Sequence, residues 1–157
     1  MKLIHLIIIA VFVLFCLSLT LPAAAQKLQK AGNTDCGTLY VDTDTVKTVK
    51  KDGQYYLAVA AEERYTDAEF LASLRQGEDM QQATAAVYLY LFDNRGANYC
   101  VAAAYIVDTE GKVCADVGSN MTLLPVGKDK TMSNAYSMAL KALENKNRWQ
   151  KKKNFVR

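Results

Sequence analysis

The chain beyond residue 37 alternates hydrophobic and polar positions in short runs, which is typical of β-strands. Three such runs come first, at residues 38–41, 45–49 and 54–65. In the last run, Tyr55, Leu57, Val59 and Ala61 fall on one face. Asp52-Gly53 separates the second and third runs and predicts a tight hairpin turn.

The richest strand pattern follows, over residues 83–117. Two apolar runs, Ala83–Phe92 and Asn98–Val107, precede a shorter run at 112–117. The polar, glycine-containing turns 93–96 and 108–111 separate the three runs. Such runs joined by tight turns predict an antiparallel meander.

Two segments have helical spacing instead. Thr66 and Glu69 have the spacing of a capping box and predict a helix over residues 67–76, with Gly77 placed to end it. A longer amphipathic pattern predicts a helix over 133–145, with Ala135, Met138, Ala139 and Ala142 on one face. We therefore predict an α+β fold with about five antiparallel strands, packed on one face by the C-terminal helix.

The N-terminal segment has the features of an export signal. An apolar run from Leu3 to Leu21 is broken by Pro22, and the small residues Ala23 and Ala25 then precede Gln26. This pattern predicts a signal peptide over residues 1–25, cleaved before Gln26. The run is also nearly long enough to cross a bilayer, so an uncleaved N-terminal membrane anchor is the alternative.

Removing this signal leaves 132 residues, which is enough for one domain with its own core. We divide them into a linker at 26–37, one α+β domain at 38–145 and a basic C-terminal tail at 146–157. The formal charge of the whole chain is +3, and it falls to +2 without Lys2. A nearly neutral body argues against nucleic acid as a partner.

The residue inventory argues against most catalytic chemistry. The single histidine is His5, inside the predicted signal, so the mature chain has no histidine for a catalytic triad or an imidazole zinc site. The loop at Asp42-Thr43-Asp44 lacks the later ligands of a calcium loop, and Gly111-Lys112 lacks the remainder of a phosphate-binding loop. The adjacent Glu62 and Glu63 point to opposite faces of a strand. We therefore predict no enzymatic activity, no catalytic residues, no cofactor and no metal.

Three cysteines remain after processing: Cys36, Cys100 and Cys114. An odd number in an exported chain suggests one disulfide and one spare thiol, while three buried thiols are the alternative. A turn centred on 109–110 would place Cys114 opposite Tyr105, and hence on the other face from Cys100. We expect any bridge to join Cys36 to Cys100 or to Cys114.

Two further features could bind a ligand. Aromatic side chains gather on the meander and could form either a binding floor or simply core: Tyr88, Tyr90, Phe92, Tyr99 and Tyr105. The C-terminal tail lacks acidic residues and suits an anionic surface, although a solvated terminus is the alternative. Its candidate contact residues are Lys146, Arg148, Trp149, Lys151, Lys152 and Lys153.

Three short motifs resemble the surface-adhesin protein E-like family of small exported bacterial domains. They are the opening Tyr40–Val46 segment, the Asp108–Val113 turn and the step Leu124-Pro125-Val126-Gly127. The order of elements matches over residues 38–144. The usual tryptophan before the proline is absent, and residues 66–82 form an insertion. No binding residue of the family maps onto this chain.

This resemblance implies an exported surface or periplasmic binding module that is not an enzyme. Its partner would be a protein or another envelope or extracellular macromolecule, with homo-oligomers also open. The alternatives are a structural envelope component or subunit that acts through protein–protein contacts, and a domain anchored by its N-terminal helix.

Overall fold

The computed structural model describes residues 28–155, with side chains up to Arg148. The predicted signal peptide and its cleavage residues Ala23, Ala25 and Gln26 lie outside the described residues. The elements, in chain order, are β1 (Leu28–Asn33), β2 (Gly37–Lys51), β3 (Gln54–Tyr65), α1 (Ala68–Leu74), a 3-10 turn (Glu78–Met80), β4 (Ala85–Asp93), β5 (Asn98–Val107), β6 (Val113–Pro125) and α2 (Lys130–Phe155).

The six strands form one antiparallel sheet in the order β1-β2-β3-β4-β5-β6. The predicted α+β class, the meander and the C-terminal helix are confirmed. The sheet has six strands and not about five, because β1 forms within the segment that the sequence predicted to be a linker. Only Ala31 is buried in this polar strand, so its sequence carries little hydrophobic signal.

Strand β2 joins two runs that the sequence separated. Its pairing with β3 shifts between Asp42 and Lys47, so residues 43–46 bulge out of the ladder without ending the strand. The strand then continues to the predicted hairpin, where Asp52 and Gly53 both have positive φ. Such angles are those of the turns that best match strand twist.

The two helices differ from their predicted bounds at the ends. Asp67, and not Thr66, caps α1: its carboxylate accepts a hydrogen bond from the Phe70 backbone N–H at 2.6 Å. Helix α2 begins three residues earlier than predicted and continues to Phe155, through most of the predicted tail.

The main core lies between α2 and one face of the sheet. The helix contributes Met132, Ala135 and Ala139, all at most 5% exposed. They pack with sheet residues that include Leu39, Val41, Val46, Leu57, Val59 and Phe92. A second cluster beneath α1 joins Tyr65, Ala83, Ala86 and Ile106. The opposite face of the sheet buries a smaller group, Ala58, Leu91 and Cys100.

The pairing of β5 departs from a regular ladder. Leu89 lies opposite Ala103 while Tyr90 lies opposite Val101, so Ala102 is an extra residue in β5. This β-bulge reverses the alternation along the strand. Tyr99 therefore shares the α2 face with Tyr90, whereas Tyr105 pairs with Val87 on the opposite face.

Candidate functional site

A row of aromatic rings lies on the sheet face that carries α2. The Tyr88 and Tyr90 rings stack with centroids 5.3 Å apart, and Tyr99 meets Tyr90 edge-on at 5.8 Å. Phe92 is fully buried and touches both Tyr99 and Tyr136. Four of the five predicted aromatic residues therefore meet, and their burial makes this row part of the core.

A polar network joins the end of this aromatic row to the β1–β2 loop. The Tyr88 hydroxyl donates to the Glu63 carboxylate at 2.9 Å, and the Thr34 hydroxyl donates to the other oxygen of that carboxylate. Burial, followed by the negative charge of Glu63, raises the pKa of Tyr88 far above its ordinary value. Burial raises that of Tyr90 in the same way. Both phenols therefore stay protonated, and the Tyr88 hydroxyl serves as the hydrogen-bond donor that ties the aromatic row to Glu63.

All three described cysteines are free thiols, so the predicted bridge from Cys36 to Cys100 or Cys114 is not formed in this structure. Cys36 and Cys114 border the cluster beneath α1, and Cys100 is buried on the opposite face. The predicted register is also shifted, since Asp116 and not Cys114 lies opposite Tyr105. One residue of this shift comes from the five-residue turn that closes when Asp108 N–H bonds to Lys112 O, and the other from the bulge at Cys114, between the Val107–Val113 and Ile106–Ala115 pairs.

Two of these thiols are poor nucleophiles. Burial and the nearby carboxylates of Glu63, Asp35 and Asp67 raise the pKa of Cys36. Burial also raises the pKa of Cys100, against a smaller opposing effect of Lys51. Because the thiolate is the reactive form of cysteine, both side chains act as small hydrophobic groups.

The bulge in β2 is held by a side chain from the far end of the sequence. The Lys146 ammonium donates to the backbone carbonyls of Asp44 at 2.6 Å and Val46 at 3.0 Å. Beside it, Asp42 is only 6% exposed and accepts a hydrogen bond from Asp44 N–H. Burial raises the pKa of Asp42, while that hydrogen bond and the charge of Lys146 act in the opposite direction. Lys146, which the sequence predicted as a contact with an anionic surface, therefore holds α2 against β2.

The other predicted tail residues lie further along α2. Arg148 is exposed, and Trp149, Lys151, Lys152 and Lys153 occupy the helix backbone beyond it. The structure brings all of them onto one helical segment.

Most of the exposed large hydrophobic residues in residues 28–148 lie on β6, of which the sequence predicted only the first part. We call this strand the β6 edge. It carries five of the seven large hydrophobic residues that are exposed in the described chain: Val113, Val117, Met121, Leu123 and Leu124. Their alternation with polar residues over 113–123 could have identified a half-exposed strand, but the prediction ended the strand at 117.

The β6 edge is irregular. Its pairing with β5 shifts four times, and Gly118 has φ +88°. Two backbone donors on it are bonded by its own side chains: Asp116 accepts from Gly118 N–H at 2.8 Å and Asn120 from Thr122 N–H at 3.1 Å. Bulges and satisfied donors hinder the addition of another strand. The edge therefore offers side chains to a partner more readily than backbone.

Within residues 28–155, no group of three or more histidine, cysteine, aspartate or glutamate residues is placed to hold a metal ion. No helix in the same part of the chain is long and apolar enough to cross a membrane.

The chain matches no protein-family model, no curated protein and no solved structure. The resemblance to the surface-adhesin protein E-like family stays a prediction.

Proposed function

We propose that this protein is an exported, non-enzymatic binding module that works at the cell surface or in the periplasm. The observation that carries the proposal is the β6 edge, where Val117 is 62% and Leu123 is 48% exposed. Five of the seven large hydrophobic residues that are exposed in residues 28–155 lie on this strand, and exposed apolar patches are typical of protein interaction surfaces.

The composition of the β6 edge indicates the kind of partner. Asp116 is its only charged residue, and the rest of its polar residues are small: Ser119, Asn120 and Thr122. A surface so poor in charge fits an apolar patch on another protein better than a highly charged polymer. Because Asp116 and Asn120 bond the strand's own donors, we expect the partner to pack on side chains.

A photocrosslinking amino acid at position 117 tests this proposal in cells that make the protein. We expect one discrete adduct whose mass identifies the partner, and Leu123→Lys in the same chain should abolish it. The control position is Leu140, an apolar residue on α2 that is 37% exposed. The same adducts from both positions, or none from position 117, would contradict the proposal.

The mass of the adduct also separates the remaining alternatives. An adduct of twice the chain mass would assign the β6 edge to a second copy of this protein. An adduct with a stoichiometric envelope protein would favour the structural-component alternative over a module that captures external ligands.

A further inference from the structure

We propose that one end of this domain, which we call the basic end, docks onto the anionic surface of a lipid bilayer. The basic end consists of the β2–β3 hairpin with Lys50, Lys51 and Tyr55, together with the last turns of α2 from Arg148 to Lys153. The proposal uses neither the β6 edge nor its partner, so it stands independently of the proposed function.

The course of α2 brings these two segments to the same end. Near its start, the Thr131 hydroxyl donates to Asn33 O at 2.8 Å, beside the first residues of β2. Fifteen residues later, Lys146 binds the carbonyls of Asp44 and Val46. The helix therefore runs alongside β2, in the direction of the hairpin.

Beyond the contact between Lys146 and Val46, α2 and β2 extend by similar lengths. The helix continues nine residues to Phe155, which corresponds to about 14 Å. Strand β2 continues four residues from Val46 to Lys50, which is about 13 Å. The cationic residues 148–153 and the hairpin lysines thus reach the same level of the molecule.

The hairpin itself has the chemistry of a membrane contact. The Lys50 ammonium lies 5.4 Å from the centre of the Tyr55 ring, and Tyr55 is 58% exposed. Lys50 and Tyr55 are paired across the hairpin, next to the Thr48–Leu57 pair on the face that carries α2. An exposed tyrosine beside lysines suits a headgroup region, where the ring meets the acyl boundary and the ammonium meets phosphate.

The remainder of the fold gives this end a defined orientation. The opposite end of β3 and the segment after it are acidic. Residues 62–79 contain six acidic residues and only two basic ones, Arg64 and Arg75; the acidic residues are Glu62, Glu63, Asp67, Glu69, Glu78 and Asp79. Leu28, where the described chain begins, pairs with Asp42 at the start of the β2 bulge. Strand β1 therefore begins at the level of the β2 bulge, at its end nearer the hairpin. A surface approached by the hairpin and the end of α2 would meet these lysines together with the carboxylate of Asp52 at the hairpin tip, and not the acidic end.

Binding to vesicles of phosphatidylglycerol in phosphatidylcholine, compared with phosphatidylcholine alone, tests the proposal. The protein is purified from its host, and its N-terminus is determined by mass spectrometry. If the apolar N-terminal segment is retained, its contribution to binding appears with both lipids. We call the difference in binding between the two kinds of vesicle the anionic component. We expect it to weaken as salt is raised, because exposed charges are screened. Each lysine near such a surface contributes about fivefold to the affinity. Lys50→Gln/Lys51→Gln and Lys151→Gln/Lys152→Gln/Lys153→Gln should therefore each lower the anionic component by more than tenfold.

The control is Lys112→Gln/Lys141→Gln, which removes two positive charges, as Lys50→Gln/Lys51→Gln does, from the 108–112 turn and from the middle of α2. It should bind like the wild type, and all variants should keep the wild-type melting temperature. Equal loss in the control, or no loss in the two basic-end variants, would overturn the proposal. Binding to a soluble acidic polysaccharide but not to anionic vesicles would also overturn it, because it would assign the basic end to a polyanion other than lipid.

Discussion

The two edges of the sheet, β1 and β6, are treated in opposite ways by the rest of the chain. Ala31 is the extra residue of a bulge in β1, and its carbonyl accepts a hydrogen bond from the Asn134 side chain of α2 at 2.9 Å. Thr131 bonds the carbonyl of Asn33 at the end of the same strand. Besides β5, the β6 edge contacts the 3-10 turn, and the side-chain bonds to backbone described along it are local ones.

The difference shows how the same physical problem can have two solutions. An exposed strand edge promotes unwanted pairing, and proteins cover such an edge or interrupt it. Here α2 covers one edge with long-range contacts, while a glycine bulge and two local hydrogen bonds interrupt the other. Covering makes β1 part of the stability of the fold. Interruption leaves β6 free for a side-chain contact, as the proposed function requires.

The largest expected effect is the difference in stability between two substitutions, one made near each edge. Leu39→Ala removes a β2 side chain that is 1% exposed beneath α2, and we expect it to lower the free energy of unfolding by about 2–5 kcal/mol. Leu123→Ala on the β6 edge should change it by less than about 0.5 kcal/mol. Urea unfolding followed by circular dichroism measures both. A large loss for Leu123→Ala would show that β6 is covered in the folded protein.

The next effect concerns the attachment of α2 near the covered edge. Lys146→Met leaves the carbonyls of Asp44 and Val46 without their charged donor, and an unsatisfied partly buried acceptor costs about 1–3 kcal/mol. Lys141→Met is the control, because Lys141 is exposed on the same helix. The same urea titration should separate the two variants. Equal stabilities would mean that α2 is held by its apolar stripe alone.

The parts of this fold that local sequence determines were predictable. Asp52-Gly53 indicated the hairpin and the turns 93–96 and 108–111 indicated the meander, because these signals act over a few residues. The alternation of Leu57, Val59 and Ala61 placed these residues on one face, and the structure shows that α2 covers that face. The helix face of Ala135 and Ala139 was equally clear, since both are fully buried against the sheet.

The features that the sequence did not reveal depend on distant contacts or on single-residue bulges. Strand β1 is polar, and the residues that bond its carbonyls lie about a hundred positions away in α2. The bulge at Ala102 cannot be seen in an apolar run, yet it moves Tyr105 to the face opposite Tyr99. Lys146 looked like one cation of a basic tail because its acceptors are backbone carbonyls, which no sequence pattern marks. The predicted last strand ended at residue 117, whereas β6 continues past Gly118 through a bulge.

A smaller effect should follow from opening the covered edge at one point. Asn134→Ala removes the donor to Ala31 O and should cost about 1 kcal/mol. Asn145→Ala is a matched control, because Asn145 is exposed on the same helix and the change in helix propensity is the same. Amide hydrogen exchange should also become faster in β1 and not in β6. If both variants unfold alike, α2 covers β1 without holding it.

The smallest effect is a pH dependence beside the covered edge, at Asp42. Because burial raises the pKa of Asp42 in the folded state, the folded chain holds this proton more tightly than the unfolded chain. Its contribution to stability is therefore present below the unfolded pKa and is lost as pH rises through the folded pKa. Asp42→Asn removes that titration and keeps an oxygen acceptor for Asp44 N–H, so the variant should gain stability relative to the wild type between pH 3 and pH 7. The hydrogen bond from Asp44 N–H and the charge of Lys146 partly offset the effect of burial on the pKa of Asp42. We therefore expect a smaller change in the free energy of unfolding than for the other substitutions. Urea unfolding at both pH values measures it, and an equal difference at pH 3 and pH 7 would show that ionised Asp42 is tolerated there without cost.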